Sequence, residues 1–209
     1  MTQNFDKLQN EILKKEQGQN KSLLLHACCA PCATYCLKKL ATVFDVTLFF
    51  SNDNVMPQEE FDKRFQALEK LVHLVNSNLC EIEHAFEIKL VKKPFDNEKF
   101  TSFAQNLSSE KEGGARCTLC YQMRLESAFE YATKNNFDYF CSTLSISPHK
   151  NAELLNKIGF SLENDTTKWL VNDFKKNDGF LFSTRFCKTH DIYRQTFCGC
   201  DFSKNSQIN

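Results

Sequence analysis

The residues best suited to chemistry in this sequence are the cysteines of HACCAPCATYC, residues 26–36. Cys28 and Cys29 are adjacent, and Cys32 and Cys36 follow shortly after them. Thiolates bind soft metals, hold iron–sulfur clusters and carry electrons, so the stretch indicates a metal or redox centre. Cys32 is a further candidate ligand, either in place of Cys28 or for an additional metal beside the first. Cys36 is better explained by packing.

A second pair of thiols lies in the stretch GGARCTLC. Cys117 and Cys120 form a C-x-x-C spacing at the predicted start of a helix, where exposed backbone N–H groups favour thiolate over thiol. Cys28 and Cys29 would point to opposite sides of a regular strand, but they can converge in the turn after it. The two pairs together supply four thiolates, which is the usual ligand set of an iron–sulfur cluster.

Three competing roles remain open for these thiols. Structural zinc usually takes two C-x-x-C pairs held by one small module, whereas these pairs are far apart in the chain and one is a vicinal pair. A thioredoxin-like motif would use one pair and leave the other without a role. Burial of cysteine as a small hydrophobic residue suits the isolated Cys80, Cys141 and Cys187 better than it suits two doubled motifs.

A third pair of cysteines is found in YRQTFCGCDFS, as Cys198-Gly199-Cys200. A disulfide across one intervening residue needs a tight, strained loop, which glycine makes accessible. Strained disulfides are easily reduced and tend to be redox-active. The pair is therefore predicted to exchange electrons, and the alternatives are further metal ligands or two unrelated thiols.

Composition limits the class of protein. The 209 residues suit one domain with a core of its own, and the 26 basic and 26 acidic residues cancel, which does not favour bulk nucleic-acid binding. The polar N-terminus lacks the apolar segment of a secretory signal, and no apolar run is long enough to span a bilayer. We therefore expect a cytoplasmic protein, in which its 11 cysteines serve metals or redox chemistry and not structural disulfides.

The elements that must position these residues alternate along the chain. Strands are predicted at KSLLLH, DVTLFF, NLCEIEHA and DYFCSTLSIS. Helices are predicted over residues 4–16, after Pro31, in QEEFDKRFQALEKLVHLVN, over 97–107 and 117–135, and in AELLNKIGF. This alternation predicts an α/β fold, a parallel sheet with helices on both faces. We expect one domain over residues 1–209, with a polar helix in 1–20, a core in 21–163 and a C-terminal segment in 164–209 that closes over the sheet.

Ligands of open parallel sheets bind beyond the carboxyl ends of the strands. Three groups of polar residues are predicted to lie at that edge: His26, Cys28 and Cys29 after the first strand, Asn52 and Asn54 after the second, and residues 145–149 after the fourth. His26 lies in an apolar run, and such a histidine is more often a hydrogen-bonded core residue than part of a site.

Four stretches, LLLHACCAPC, EGGARCTLCYQMRLE, STLSISPHKN and IYRQTFCGCDFS, occur in the same order in a known family. By them the chain resembles the QueH-type epoxyqueuosine reductases from about residue 22 to 203. The resemblance implies reduction of epoxyqueuosine to queuosine at the wobble position of tRNA, without cobalamin. It also implies a Rossmann-like fold similar to the adenine-nucleotide hydrolase and ATP pyrophosphatase superfamily, although this chain lacks that group's SGGxDS loop. In SNDNVMP, Asp53 replaces a proline that is frequent in the family.

The resemblance also implies residue roles. A 4Fe–4S cluster would be held by Cys28, Cys29, Cys117 and Cys120, and the redox-active disulfide would join Cys198 and Cys200. The partners implied are the tRNA anticodon loop and an electron donor that the sequence does not identify.

The reaction also needs a proton donor and a surface that holds RNA. His149, Tyr193 and Tyr121 are the candidate proton donors, and His149 titrates near neutral pH in an ordinary environment. Cationic candidates for the tRNA are Arg116, Arg124, Lys150, Arg185 and Arg194, with Tyr121 and Tyr193 for stacking on bases. Arg124 could instead hydrogen-bond a cluster sulfur. The competing functions are a zinc-bound RNA-binding module without catalysis and a sulfur-transferring tRNA-modifying enzyme.

Overall fold

A five-stranded parallel sheet organises the molecule. The computed structural model describes residues 3–205, so the ends of the predicted domain, 1–2 and 206–209, lie outside the described residues. The strand order is β3-β2-β1-β4-β5, and every neighbouring pair is parallel. This order is that of doubly wound nucleotide-binding folds, so the predicted α/β, Rossmann-like class is confirmed.

The strands are short and the helices between them are longer. The strands span Ser22–His26 (β1), Asp45–Phe50 (β2), Lys89–Lys92 (β3), Tyr139–Ser142 (β4) and Lys168–Trp169 (β5). The helices span Phe5–Glu16 (α1), Ala30–Leu40 (α2), Gln58–Asn76 (α3), Glu98–Gln105 (α4), Ala115–Lys134 (α5), Ala152–Leu162 (α6), Gly179–Thr189 (α7) and Asp201–Asn205 (α8). A 3₁₀ turn, Thr143–Ile146, continues β4. Within the described residues, no helix combines the length and the apolar character that crossing a bilayer requires.

The first strand is the centre of the core. Leu23, Leu24 and Leu25 are fully buried because β1 pairs with β2 on one side and β4 on the other. A strand covered on both faces by helices has no solvent side, which explains the unbroken apolar run. The carboxyl end of β1 therefore opens between β2 and β4, where the strand order reverses, and this is where such folds bind ligands.

The third strand is not where the sequence predicts it. Residues 78–85 are irregular, and the strand that pairs with β2 is Lys89–Lys92. The segment before this strand is held by Asn76, whose side chain bonds both the N–H and the carbonyl of Ile88. β3 is a half-exposed edge strand flanked by lysines, so its sequence carries no apolar run. Hydrophobic patterning alone therefore selects the wrong segment.

The C-terminal segment contains more regular structure than its patterning suggests. It includes β5, α7 and α8. Helix α7 packs on α2, where the Thr34 hydroxyl donates to the Ser183 hydroxyl. The chain then returns to the carboxyl edge of the sheet, and the Met56 N–H donates to the Gly199 carbonyl at 2.9 Å. The CGC loop, residues 198–200, is thereby placed beside the loop that follows β2.

Candidate functional site

Three thiols form a compact group in the turn between β1 and α2. The Sγ atoms of Cys28, Cys29 and Cys32 all lie within 4.8 Å of one another, and those of Cys28 and Cys29 are 3.5 Å apart. β1 ends at His26 and Cys29 is the N-cap residue of α2, so the vicinal pair lies in the turn between the two elements. Pro31 lies in the first turn of α2 and fixes where this helix begins. Cys32, the next residue, contributes its sulfur to the same group.

The three thiols differ in their protonation. Hydrogen bonds from Cys29 and Cys32 hold the pKa of Cys28 well below its usual range. Burial raises the pKa of Cys29, and the hydrogen bond to Cys28 together with that to Cys29 raises the pKa of Cys32. The group therefore favours one thiolate, at Cys28, supported by two neighbouring thiols. A sulfur group with one pre-formed thiolate is a suitable donor set for a soft metal.

The second pair lies in the first turns of α5. Cys117 and Cys120 are both buried, and the Cys117 sulfur accepts from the Gly113 N–H at 3.2 Å. Cys120 packs in a small cluster with Phe100, Ala104 and Cys200. Burial raises the pKa of Cys120 to about 12. This pair is thus brought next to the CGC loop, which is far from it in sequence.

Arg124 joins the two groups of thiols. Its side chain is almost fully buried, donates from Nε to His26 Nε2 at 3.3 Å, and also bonds Asn52 and the Cys120 sulfur. Burial alone would lower the pKa of Arg124, but the charges of Cys120, Cys28 and Cys198 outweigh burial and raise it. Cysteines from all three motifs therefore lie within electrostatic reach of one guanidinium. The alternative role considered for Arg124, a hydrogen bond to sulfur, matches this geometry.

His26 is a fully buried supporting residue. Its Nδ1 lies 2.8 Å from the Ser142 hydroxyl, while Nε2 receives the Arg124 hydrogen bond. Burial, followed by the positive charge of Arg124, lowers the pKa of His26 to about 3. The imidazole is therefore neutral at ordinary pH and links the ends of β1 and β4 to α5. This arrangement agrees with the interpretation of His26 as a hydrogen-bonded core histidine.

The residues fit a sulfur-ligated metal centre by the chemistry of their donors. Soft thiols from two segments are buried at one edge of the sheet, with a cation beside them to offset thiolate charge. In the part of the chain that the structure describes, the compact group does not extend to Cys117 or Cys120. Among the described residues, Cys28, Cys29 and Cys32 form the group that comes near the spacing of ligands around one tetrahedral ion: their sulfurs lie within 4.8 Å, and metal–sulfur bonds of about 2.3 Å place sulfurs just under 4 Å apart.

The CGC loop depends on glycine and on a buried arginine. Gly199 has φ +121, and a Cβ at this position would meet Val55 Cγ2 at 2.9 Å and Arg64 Nη1 at 3.0 Å. Arg64 donates to the carbonyls of Phe197 and Cys198, each at 3.0 Å. Cys198 and Cys200 are free thiols, the first half-buried and the second buried. The backbone of the loop is therefore fixed from the side of α3.

Lys150 lies against Cys198. Its Nζ is 3.3 Å from the Cys198 sulfur and 3.1 Å from Glu112 Oε1, and its side chain is almost fully buried. Burial alone would lower the pKa of Lys150, but the negative charges of Cys198, Tyr121 and Glu112 outweigh burial and raise it. The ammonium therefore stays charged at neutral pH. In the structure this candidate tRNA ligand is the hydrogen-bond partner of the Cys198 sulfur.

A cavity of about 320 Å³ opens in front of these groups. Its walls come from all three motifs and from α7, and include Cys28, Cys32, Cys198, His149, Phe180 and Ser183. Four cations, Arg64, Arg124, Lys150 and Arg194, line it, against the one carboxylate of Glu112. A cavity of this size and charge suits a small anionic or phosphate-linked group.

Of the other predicted site residues, some line the cavity and others do not. His149 is exposed and lines the cavity, as does Arg194. Tyr193 is not part of the cavity wall among the described residues, and its hydroxyl donates to Glu60 at 2.7 Å. Burial, followed by this hydrogen bond, raises the pKa of Tyr193 to about 12. Its predicted part as proton donor is therefore not supported by its position.

Two of the candidate tRNA arginines also lie away from the cavity. Arg116 is buried and donates to the carbonyls of Leu107, Ser108 and Glu110, so it fixes the loop before α5. Arg185 is exposed on α7 but does not line the cavity within the described residues. Tyr121 is buried, with its ring centroid 6.0 Å from the Lys150 Nζ, which leaves no free face for a base. Fewer of the candidate tRNA-binding residues therefore line the cavity than the sequence predicts.

Some residues of the site were not predicted. Gln195 donates from Nε2 to the Cys29 sulfur at 2.9 Å. Arg64 forms a buried ion pair with Glu60 at 2.7 Å. A signal for Arg64 existed, because it stands between Phe61 and Leu68 on the apolar face of α3, where a charge must have a partner. Gln195 and Glu112 had no such signal, since their contacts depend on tertiary structure.

Comparison with known proteins gives one consistent result. The family model described as "Epoxyqueuosine reductase QueH" matches residues 23–206. A protein of that name from Staphylococcus epidermidis is 36% identical over 209 residues, covering 98% of this chain and 86% of the relative. Another from Streptococcus pyogenes is 35% identical, covering 98% and 79%. One from Thermotoga maritima is 31% identical, covering 87% and 90%.

Proposed function

Because the chain belongs to the epoxyqueuosine reductase QueH family, we propose that it reduces epoxyqueuosine to queuosine at the wobble position of tRNA. The observation that carries the proposal is that Cys28, Cys32 and Cys198 line one cavity, together with Arg124, which also bonds the Cys120 sulfur of the second motif. Such a tRNA substrate would place the reaction in the cytoplasm. The chain is accordingly proposed to be an oxidoreductase that acts in queuosine synthesis.

The chemistry defines what the site must supply. Two C–O bonds of the epoxide break, one C=C bond forms, and the oxygen leaves as water. This change consumes two electrons and two protons. Oxidation of a dithiol to a disulfide releases the same number of each, so Cys198 and Cys200 balance the reaction, and an external donor then reduces the disulfide. Lys150 favours this exchange because its charge stabilises the thiolate of Cys198.

Cys28, Cys29, Cys117 and Cys120 are the residues that would hold a 4Fe–4S cluster, with Cys32 available to an additional iron. When bound, such a centre supplies single electrons and a Lewis-acidic iron for the epoxide oxygen, without cobalamin. Arg124 and Gln195 would orient the sulfur ligands through their hydrogen bonds to Cys120 and Cys29. Their removal is expected to weaken the centre without unfolding the sheet.

Proton delivery falls to groups on the cavity wall. His149 is exposed there and can exchange protons with solvent. Lys150 is a charged donor next to Cys198, and Glu112 connects it to the more exposed part of the wall. His149 is therefore the proposed proton donor, because the raised pKa of Lys150 makes its ammonium a poor acid. Tyr193 contributes indirectly, by holding Glu60 against Arg64.

The direct test uses protein that is prepared and reconstituted without oxygen. The substrate is tRNA carrying epoxyqueuosine, and mass spectrometry of the released nucleosides detects the loss of one oxygen atom. Cys198→Ser and Cys200→Ser are expected to abolish turnover. Cys80→Ser is the matched control, because Cys80 is isolated from the site, and should retain turnover. Full activity of both loop variants would exclude the dithiol part of the proposal.

The compact group of Cys28, Cys29 and Cys32 favours a second candidate, a zinc-bound RNA-binding module. Iron, acid-labile sulfide and zinc per chain separate the two candidates. About four iron and four sulfide, with absorption that dithionite bleaches, support the reductase. One zinc without sulfide after anaerobic reconstitution, together with no turnover, supports the binding module.

A further inference from the structure

We propose that Phe180 and Arg194 form a stacking platform for a nucleobase that flanks the modified nucleotide in the single-stranded loop of the RNA. This inference rests on the proposed function, because it specifies how the same site would hold its substrate. The platform lies on the wall of the cavity, beside the thiols and not among them. It is thus a binding subsite separate from the reacting groups.

The first observation is an exposed aromatic ring at a fixed position. Phe180 is 43% exposed in the first turn of α7, and it is the one large exposed apolar residue of the described chain that lines the cavity. The preceding Gly179 has no room for a Cβ, because the Phe174 carbonyl and the Tyr35 ring occupy that space. The start of α7 is therefore seated tightly on its neighbours. The backbone that carries Phe180 is thereby fixed beside the cavity.

The second observation is the cation that covers this ring. The guanidinium carbon of Arg194 lies 5.5 Å from the Phe180 ring centroid. Both side chains are exposed, and both line the cavity. An aromatic ring and a planar guanidinium are the two surfaces on which unpaired bases stack in single-stranded RNA. A base can stack on the pair, or insert beside the arginine, without a sequence-specific contact.

The charge of the cavity selects the kind of occupant. Of the four cations on its wall, Arg64 pairs with Glu60, Lys150 pairs with Glu112 and Arg124 is buried beside the thiols, whereas Arg194 is exposed and can meet a phosphate. A nucleotide also matches the flat apolar face beside these charges. Arg194 can contact a phosphate or a base, while Phe180 can only stack. The two residues therefore predict different responses to salt.

The test measures binding to RNA independently of the reduction. The probe is an unmodified anticodon stem-loop RNA, and the measurement is fluorescence anisotropy at two salt concentrations. Phe180→Ala should weaken binding about tenfold, within the usual range for one base stacked on an aromatic ring. Leu181→Ala is the matched control, since Leu181 is 44% exposed on the same turn but does not line the cavity in the described chain. Phe180→Tyr should bind like the wild type.

Substitutions of Arg194 separate the contribution of stacking to RNA binding from the contribution of charge. Arg194→Lys keeps the charge but loses the planar surface, so it should weaken binding at both salt concentrations. Arg194→Ala should weaken binding further, and this additional loss should shrink as the salt concentration rises. Equal loss in the two variants would show that charge contributes nothing, and full affinity of Arg194→Lys would overturn stacking on the guanidinium.

A direct reporter is available at the same position. The chain has one tryptophan, Trp169, which is buried, so Phe180→Trp introduces an exposed indole whose emission can be resolved. RNA should quench this emission and protect it from a soluble quencher. Bound RNA without quenching, or equal affinity of Phe180→Ala and the wild type, would overturn the platform. If the wild type binds RNA in this pattern but does not reduce epoxyqueuosine, the platform stands and the proposed function fails.

Discussion

At the residue scale, Lys150 shows that the role of a side chain depends on its position in the fold. In the sequence it is one of several cations near the motifs. In the structure its ammonium is held between Glu112 and the Cys198 sulfur, almost fully buried. A buried ammonium beside a thiol acts on the charge of the sulfur more than on a distant phosphate. Lys150 is therefore the cation in direct contact with Cys198, while Arg124 acts on the same sulfur over a longer distance.

Replacement of this lysine tests its role. Lys150→Met removes the charge but keeps most of the side-chain volume, so turnover and the rate of Cys198 alkylation by iodoacetamide should both fall on the order of tenfold. Alkylation is followed by mass spectrometry of the Cys198 peptide. Lys188→Met is the control, because Lys188 is exposed on the last turn of α7. Unchanged alkylation of Cys198 in Lys150→Met would show that the contact has no chemical effect.

The limits of sequence reasoning are visible at this same scale. The thiols could be identified because cysteine is rare and their spacing is unusual. The roles of Tyr193 and Arg116 stay predictions, because a motif gives proximity in sequence and not direction in space. Glu60 draws the Tyr193 hydroxyl to α3, and three carbonyls enclose Arg116. Only the folded chain shows these competing partners.

At the scale of elements, the site is built by the ends of strands and the starts of helices. β1 ends at His26 and α2 begins at Ala30, which leaves a short turn for the vicinal cysteines. The sequence predicts this arrangement because an apolar run stops before a proline. It does not predict β3, because the lysines of this edge strand interrupt any apolar run, or β5, because this strand has only two residues. Strands that are central and buried can be read from sequence, and marginal ones depend on their neighbours.

The pairing of β1 with β4 depends on one carboxylate. Asp138 accepts from the Ser22 N–H at 2.9 Å, from the Ser22 hydroxyl and from Lys21, and so ties the starts of the two strands together. Asp138→Ala should lower the free energy of unfolding by about 1–2 kcal/mol. Urea denaturation measures it, and Asp165→Ala, at an exposed position, should change little.

The stabilising effect of Asp138 should depend on pH, and the pKa of this carboxylate gives the direction of that dependence. Burial would raise the pKa of Asp138, but the hydrogen bonds from Lys21 and Ser22 outweigh burial and lower the pKa below 3.8. The contribution of this carboxylate to stability is therefore complete above that pH and is lost as the pH falls below it. The difference in unfolding free energy between wild type and Asp138→Ala should shrink in acid. A constant difference would assign the whole effect to packing.

The CGC loop requires a backbone that only glycine tolerates. Gly199→Ala should be destabilised by the positive φ and also by contact with Val55 and Arg64, whereas Gly18→Ala has a positive φ with open space around it. The first substitution should therefore cost clearly more than the roughly 1 kcal/mol expected of positive φ alone. Urea denaturation compares the two variants. Titration with a thiol redox buffer then shows how far the loop variant shifts the equilibrium between dithiol and disulfide.

At the scale of the whole molecule, α3 connects the sheet to the C-terminal segment. Arg64 is fully buried, pairs with Glu60, and donates to the carbonyls of Phe197 and Cys198 in and beside the CGC loop. Removal of one member of a buried ion pair leaves the other charge without compensation, which is costly. The closure of the site and the stability of α3 are therefore coupled.

Hydrogen exchange can separate this closure from global stability. Amides of β1 and β4 should exchange last, because they lie at the centre of the sheet. Arg64→Met should accelerate exchange around residues 197–200 more than in β1 or β4. Arg185→Met is the control, since Arg185 is an exposed residue of α7. Uniform acceleration across the sheet would show that Arg64 serves overall stability and not the local closure.

The dispersal of the thiols along the chain has a consequence for biosynthesis. Cys28 is made before Cys117, and Cys117 before Cys200. A domain that folds as it leaves the ribosome presents the first three thiols long before the residues that complete their surroundings exist. A chain released before Cys198 and Cys200 are made would therefore carry the thiols of the β1–α2 turn and of α5 without the loop that packs against Cys120, and would expose them to oxidation.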